Sequence, residues 1–260
     1  MTQADGRYSR QSVLPVIGAD GQRRIRAASA LVAGCGGLGT HIAETLARAG
    51  IGRLVLVDRD IVALHNLPRQ ALFDEADVAG RAPKALAAAR HLARIASDVV
   101  LQPEVAVISA ANVEALVARV DVVLDGTDNF ETRYLLNDAC VKAGKPWIHG
   151  GVLATDGNVL AVVPGVGPCL RCVFPDAPPP GSLPTCATAG VLSTAVAWVA
   201  ALEATEALKI LVGAPFVPGR LHSFDVWNGE YTRVDIRRSP DCPCCGRRDF
   251  EFLDGRYVGV

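Results

Sequence analysis

The chain carries no surplus of charge of either sign: 26 Lys and Arg stand against 27 Asp and Glu, a formal net charge of -1. Without a broad basic excess, a nucleic-acid partner is not expected, because phosphate backbones are bound by clustered cations. No apolar segment follows the polar opening MTQADGRYSRQ, so no signal peptide is expected. No run is long enough to cross a bilayer either. The most apolar stretch, Ala189 to Ala204, reaches Glu203, Glu206 and Lys209 before the ~20 apolar residues that a span requires, and it is expected as a buried core helix. The expectation is therefore a cytoplasmic chain without membrane contact. The sequence shows no internal repeat, and its five histidines show no metal-ligand spacing.

Half of the 260 residues are hydrophobic, which is enough to bury the core of one large domain or two small ones. Residues 1–28 read as an N-terminal helical arm. Apolar runs at Ser29–Ala33 and Arg53–Asp58 flank a segment with Ile42, Leu46 and Ala49 at helical spacing and Gly50 as its stop, which makes one βαβ unit. Further along, the sequence predicts a helix from Pro83, a strand over 99–108, a helix over 111–120, a strand over 121–126, a helix over 131–143 and a strand at PWIHGGV. Strands alternating with helices through residue 150 indicate an α/β fold, Rossmann-like and doubly wound around a mainly parallel sheet. Residues 29–150 are expected as a nucleotide-binding half, and 151–260 as a second half of the same compact domain. There NVLAVVP reads as a strand, and PGVGPCLRCVFPDAPPPGSLPTC reads as loop. A long helix is expected over 188–212, and SFDVWNGEYTRVDI reads as two strands joined through Asn228-Gly229.

Between the first strand and helix stands GCGGLG, with Gly34, Gly36 and Gly39 in the G-x-G-x-x-G spacing. Glycines there permit a tight turn and bring backbone N–H groups to a phosphate at the helix N-terminus. Asp58 lies 19 residues past Gly39, at the end of the next strand, where a carboxylate accepts hydrogen bonds from ribose hydroxyls. This pattern specifies an adenosine-type ligand with phosphates and does not separate NAD from ATP.

The discriminating residues follow. HNLPRQ supplies Asn66 and Arg69, Lys84 opens the next helix, and Asp128 and Asn129 end another strand. Carboxyl ends of strands are where open α/β sheets bind ligands. Two cations and a carboxylate suit a triphosphate with its magnesium ion, which a nicotinamide site does not need. Singly, Arg69 reads equally as a surface ion pair, Lys84 as a solvated first-turn lysine and Asp128-Asn129 as a helix cap. Together, at successive strand ends, they point to one site.

The eight cysteines include two C-x-x-C pairs, Cys169/Cys172 and Cys242/Cys245, with Cys172 and Cys242 70 residues apart. Four thiolates complete a closed tetrahedral zinc site, which here would staple the loop-rich middle of the chain to its tail. Cys244 competes within CPCCG, and the spacing selects Cys242 and Cys245. A thioredoxin-like redox pair is the alternative, but neither pair clearly opens a helix after a strand. Cys186 stands just before the long helix, where a helix dipole lowers a thiol pKa. Cys35 and Cys140 read as small buried fillers, and His149 as structural.

RYSRQ, GCGGLG, Asp58, NLPRQ, Pro83-Lys84, GTDN, TCATAG and the two C-x-x-C pairs occur in this sequence together, from about residue 7 to 246. The combination resembles the E1-like adenylyltransferases of the ThiF/MoeB/HesA family. The resemblance implies ATP and Mg2+ as ligands, a structural zinc, and adenylation of the C-terminal glycine carboxylate of a ubiquitin-like sulfur carrier ending in Gly-Gly. By residue match, Gly36, Gly37 and Gly39 lie on the phosphate loop, Asp58 holds the ribose, and Asn66, Arg69, Lys84 and Asn129 face the nucleotide. Asp128 serves the magnesium ion. Arg10 corresponds to an arginine that reaches into a partner subunit's site, which implies a homodimer; without the resemblance it reads as a solvated helix residue. Cys186 matches a cysteine that links covalently to the carrier in some members.

SFDVWNGEY is more similar to ThiF-type members, which makes thiamine biosynthesis the expected pathway, with molybdopterin and secondary-metabolite carriers as alternatives. No rhodanese-like segment follows, so sulfur is expected from a separate donor such as a cysteine desulfurase. Readings from other classes are an NAD-dependent oxidoreductase and a non-catalytic docking module. Within the superfamily, a tRNA-base dehydratase fits the paired C-x-x-C motifs and near-neutral charge less well.

Overall fold

The computed structural model describes residues 6–179, 181–182 and 184–256; residues 1–5 and 257–260 of the expected arm and C-terminal half lie outside these. A single eight-stranded sheet in the order β3-β2-β1-β4-β5-β6-β7-β8 runs through the chain. Its strands are β1 (Ser29–Ala33), β2 (Arg53–Val57), β3 (Val100–Glu104), β4 (Val122–Asp125), β5 (Trp147–Leu153), β6 (Asp156–Val162), β7 (Arg220–Asp225) and β8 (Glu230–Asp235). The pairs among β1 to β5 are parallel. From β5 onward each pair is antiparallel.

The inner strands are apolar on both faces, as a sheet covered on both sides requires. Ala30, Val32, Leu54 and Leu56 face one core, together with helices α1 (Gly18–Ala27), α2 (Gly37–Ala49) and α3 (Lys84–Ile95). Leu31, Ala33, Val55 and Val57 alternate onto the other core, under α4 (Val113–Ala118) and α5 (Phe130–Ala143). The long apolar helix α6 (Ser193–Val212) covers the first face. Cys169, Cys242, Cys244 and Phe252 close the second. Among the described residues no helix is long and apolar enough to cross a membrane.

Three features differ from the sequence expectation by more than three residues. The strand expected over 99–108 stops at Glu104. It is the sheet edge beyond β2, which is where Pro103 is tolerated, because no further strand requires its missing N–H. The helix expected from 188 begins at Ser193, and Cys186–Ala189 forms a separate helical turn ending at Gly190. Within the segment expected as loop, Leu170–Val173 is also a helical turn. The hairpin through Asn228-Gly229 joins β7 to β8.

Connections leave β1 on one side toward β2 and β4 lies on the other, so the sheet changes winding direction between β1 and β4. Clefts open at the carboxyl ends of strands at such a point. The β1–α2 turn and the β4 end meet there backbone to backbone. Gly34 has φ +93°, and a Cβ on it would lie 2.6 Å from the Gly126 carbonyl oxygen. A Cβ on Gly39 would overlap the Gly34 carbonyl oxygen. Gly39→Ala therefore has no relaxed solution and is expected to lower the unfolding free energy by about 2 kcal/mol or more. Gly6→Ala, with nothing within 4 Å of its added carbon, is expected to be neutral in the same urea titration.

Candidate active site

The turn after β1 carries Gly34 to Gly39 into the cleft. No side chain caps the first turn of α2, which leaves its amides for an anion. Cys35 donates its backbone N–H to Asp58 Oδ2 at 2.7 Å, and Asp60 donates to Asp58 Oδ1 at 2.7 Å. Burial raises the Asp58 pKa, while those two amides and the Lys84 charge oppose the rise. Each Asp58 oxygen keeps a further lone pair for a hydroxyl donor.

Asn66 is buried, and its Oδ1 accepts from the Ala63 amide at 3.1 Å, closing the turn that presents Arg69. The Arg69 guanidinium donates to the His65 carbonyl at 2.8 Å, and its Cγ lies 3.7 Å from where a Cβ on Gly37 would stand. Lys84 is buried at the start of α3 and its Nζ donates to Asp60 Oδ2 at 2.9 Å. Gln70 is buried near Gly36, with no hydrogen-bond partner for its Oε1. Asp128 is exposed just past β4. It makes no ion pair among the described residues, and its nearest polar partner is Asn129 Nδ2 at 3.4 Å. Asn129 caps α5 by accepting from the Thr132 amide at 2.8 Å.

The structure thus brings Gly36, Gly37, Gly39, Asp58, Asn66, Arg69, Lys84, Asp128 and Asn129 to the carboxyl edge of the sheet. Arg10 does not join them. Its short helical segment docks at the opposite edge, where Gln11 donates to the Ala49 carbonyl and Tyr8 to Asp98. Cys186 lies five residues before Val191, which pairs with Ala154 just past the carboxyl end of β5 and leads into α6.

The sulfurs of Cys169, Cys172, Cys242 and Cys245 lie within 4.8 Å of one another. The Cys169–Cys242 and Cys172–Cys245 separations are 3.6 and 3.4 Å. A tetrahedron with ~2.3 Å from metal to sulfur has edges of about 3.8 Å, so this donor set can hold a zinc ion. Cys244 is not one of the four: its thiol accepts from Asn137 Nδ2 at 3.1 Å and lies beside Cys169 at the edge of the group. Cys35 and Cys140 are buried fillers.

Sequence reasoning missed a buried ionic group beneath Asp128. Asp125, the last residue of β4, accepts from Arg133 Nε at 3.1 Å and lies 2.9 Å from His149 Nδ1. Burial alone would raise its pKa, but the Arg133 charge and the His149 bond overcome that and hold it low. Glu203 of α6 is wholly buried nearby. Burial and the Asp125 charge raise its pKa well above the usual range. The Asp125 amide favours its ionised form slightly but completes no hydrogen bond with it. The readable signal was a single acid set inside an apolar run, at VVLD and again at AWVAALEA.

A profile of the ThiF family matches residues 8–244. The chain belongs to the ThiF family. It is 47% identical over 244 residues to the adenylyltransferase and sulfurtransferase MOCS3 of Sus scrofa, covering 93% of this chain and 53% of that protein; it therefore spans about half the length of that relative. It is 44% identical over 250 residues to the sulfur carrier protein ThiS adenylyltransferase of Bacillus subtilis, covering 95% and 74%. It is 43% identical over 254 residues to the SAMP-activating enzyme E1 of Haloferax volcanii, covering 97% and 93%. A crystal structure of E. coli MccB with ATP matches with a TM-score of 0.80 at 25% identity, over 92% of this chain and 74% of that one. The ThiF-family fold and the mainly parallel sheet with antiparallel C-terminal strands agree with the sequence expectation.

Glu203 gives this site a measurable pH signature. Above its ordinary value of 4.5 the unfolded chain releases a proton that the folded chain keeps. Across the window up to its raised native value, this group lowers stability by ~1.4 kcal/mol per pH unit. Glu203→Gln removes that falling component. Urea unfolding between about pH 5 and pH 8 is expected to give a flatter profile than the parent, with the variant at least as stable at the upper end.

Proposed function

We propose that this chain uses ATP to adenylate the C-terminal glycine carboxylate of a ubiquitin-like sulfur carrier, releasing pyrophosphate. The observation that carries this reading is the convergence of a phosphate-type glycine loop, a ribose-type carboxylate, two cations and an exposed carboxylate at one strand edge. Relatives named as sulfur-carrier adenylyltransferases support it. On this reading residues 1–28 are an arm, 29–150 bind the nucleotide, and 151–260 receive the carrier and the structural zinc.

The chemistry needs little beyond positioning and charge. The carrier carboxylate is ionised at neutral pH, so no general base is required. Its oxygen attacks the α-phosphorus, the bond to the bridging oxygen breaks, and pyrophosphate leaves with the electron pair. Amides of residues 36–39 cradle phosphate, and Arg69 and Lys84 offset the gathering negative charge. Asp128 would hold magnesium, which supplies charge neutralisation on the triphosphate, and Asn129 would face the nucleotide. Arg10, remote from its own cleft, would serve the cleft of a second copy. Cys186 would take a later covalent step with the carrier and is not needed for adenylation. Similarity of SFDVWNGEY to ThiF-type members favours thiamine biosynthesis over molybdopterin, with sulfur from a separate donor in the cytoplasm.

Carrier-dependent ATP–pyrophosphate exchange tests this reading. Exchange is expected only with carriers ending in Gly-Gly, and Asp128→Ala is expected to lower it about 100-fold or more. Absence of exchange with every such carrier would refute the assignment. Mixing Arg10→Ala with Asp128→Ala protein is expected to restore part of the activity, because one cleft of the mixed dimer is intact. For the metal, zinc analysis is expected to find about one ion per chain. Cys245→Ser is expected to lose that ion and several degrees of melting temperature.

A further inference from the structure

Asp128 is exposed, and among the described residues its side chain is held only by Asn129 Nδ2 at 3.4 Å. What aims its carboxylate must therefore act through its neighbours. Thr127, the residue before it, is held at all three of its polar groups. Its amide and Oγ1 both donate to Asp125 Oδ1, at 3.0 and 2.6 Å. Its carbonyl accepts from Arg133 Nη2 at 2.9 Å. On the other side, Asn129 is fixed by its cap on α5.

The group that holds Thr127 is itself anchored to three strands. Arg133 Nε bonds Asp125 on β4, and its Nη2 also donates to the Gly150 carbonyl on β5 at 3.2 Å. His149 Nδ1 lies 2.9 Å from Asp125 Oδ2, and its Nε2 lies 3.1 Å from Asn158 Oδ1 on β6. Asp125, Arg133 and His149 are all buried. Glu203 presses on the same place from α6, so close that a Cβ on Gly150 would collide with its carboxyl group. A buried ion pair of this kind is often replaceable by apolar residues without loss of stability. Its geometry is what an apolar cluster could not reproduce: directed bonds that leave one loop a single conformation.

We propose that Asp125, Arg133 and His149 are positioning residues that act through Thr127 to aim the Asp128 carboxylate. The proposal rests on the reading that Asp128 serves the magnesium–triphosphate. Misplacement of a reacting group by about 1 Å costs up to 100-fold in rate, so loosening this loop has a kinetic signature.

Removing Asp125 or Arg133 strands a buried charge and endangers the fold, so the test uses Thr127. Thr127→Val keeps the shape and the amide and loses the Oγ1 bond. Thr127→Ser keeps the hydroxyl. Carrier-dependent exchange is measured against Mg2+ concentration, with Asp128→Ala and melting temperature alongside. Thr127→Val is expected to raise the half-saturating Mg2+ about three- to tenfold, with the carrier half-saturation and the melting temperature nearly unchanged, and Thr127→Ser is expected to stay within about twofold of the parent. A Val variant with the parent's Mg2+ dependence, or a Ser variant impaired as much as Val, overturns the positioning role while a damaged Asp128→Ala leaves the adenylation reading intact. An Asp128→Ala protein as active as the parent removes the adenylation reading, and the positioning role falls with it.

Discussion

Two main-chain segments touch at the centre of the sheet, with no side chain between them. The turn after β1 and the end of β4 approach so closely that a Cβ on Gly34 would intrude on the Gly126 carbonyl. β1 and β4 are neighbours that carry the chain in opposite winding directions. Their carboxyl ends would diverge into a wide cleft if side chains held them apart. Glycine at both places lets the phosphate-type loop and the Asp128 segment share one narrow mouth. Asp58 enters the same mouth because its carboxylate is bonded to the Cys35 amide of that very loop. The site is therefore a consequence of backbone proximity first and of side-chain chemistry second.

That order explains what could be read from the residues alone. The first βαβ unit and the glycine loop are local patterns whose meaning depends on neighbours a few residues away. Asp58 and Lys84 were legible because they sit just past a recognisable strand and at the head of a helix, and Arg69 because it stands with Asn66 in HNLPRQ. The hairpin at Asn228-Gly229 was legible for the same reason. The Asp125 group was not. Its partners Arg133, His149 and Glu203 come from α5, β5 and α6, and no spacing in one dimension foretells that they converge. The edge strand at Val100–Glu104 ended early because the sheet edge, rather than local propensity, decides where pairing stops. The break at Gly190 between Cys186 and α6 was hidden by apolar residues on both sides of it.

The cysteine tetrad shows the same dependence at longer range. Its spacing announced a metal site, and of the three tail cysteines the two whose sulfurs group with the first pair are Cys242 and Cys245. Cys244 faces Asn137 on α5 while Cys242 and Cys245 face the other pair. The tail thus clamps the second face of the sheet twice, once through thiols and once through Cys244 and Phe252 in the core. That clamp lies under α5, the helix that also carries Arg133. Loss of the tail would be felt in the cleft through that helix.

The charges around the cleft fall into two kinds, and the difference suits them to different tasks. The Lys84 ammonium engages Asp60, whose side chain is 55% exposed, and among the described residues Arg69 holds a backbone carbonyl, that of His65. Asp60 can turn to water on releasing Lys84, whose own side chain is buried, so a polyanion that takes up the ammonium exchanges one partner for another and strands no buried charge. The Asp125–Arg133 pair is shut away from solvent, and breaking one side of such a pair costs about 3–5 kcal/mol. No ligand can recruit Arg133 at that cost, so its positive charge remains committed to the loop. On the proposed reading the cleft gathers a triphosphate and a carboxylate, and for that it needs cations that let go of the protein. It also needs a frame that does not follow them when they move, and burial of the acidic partner is what separates the two here.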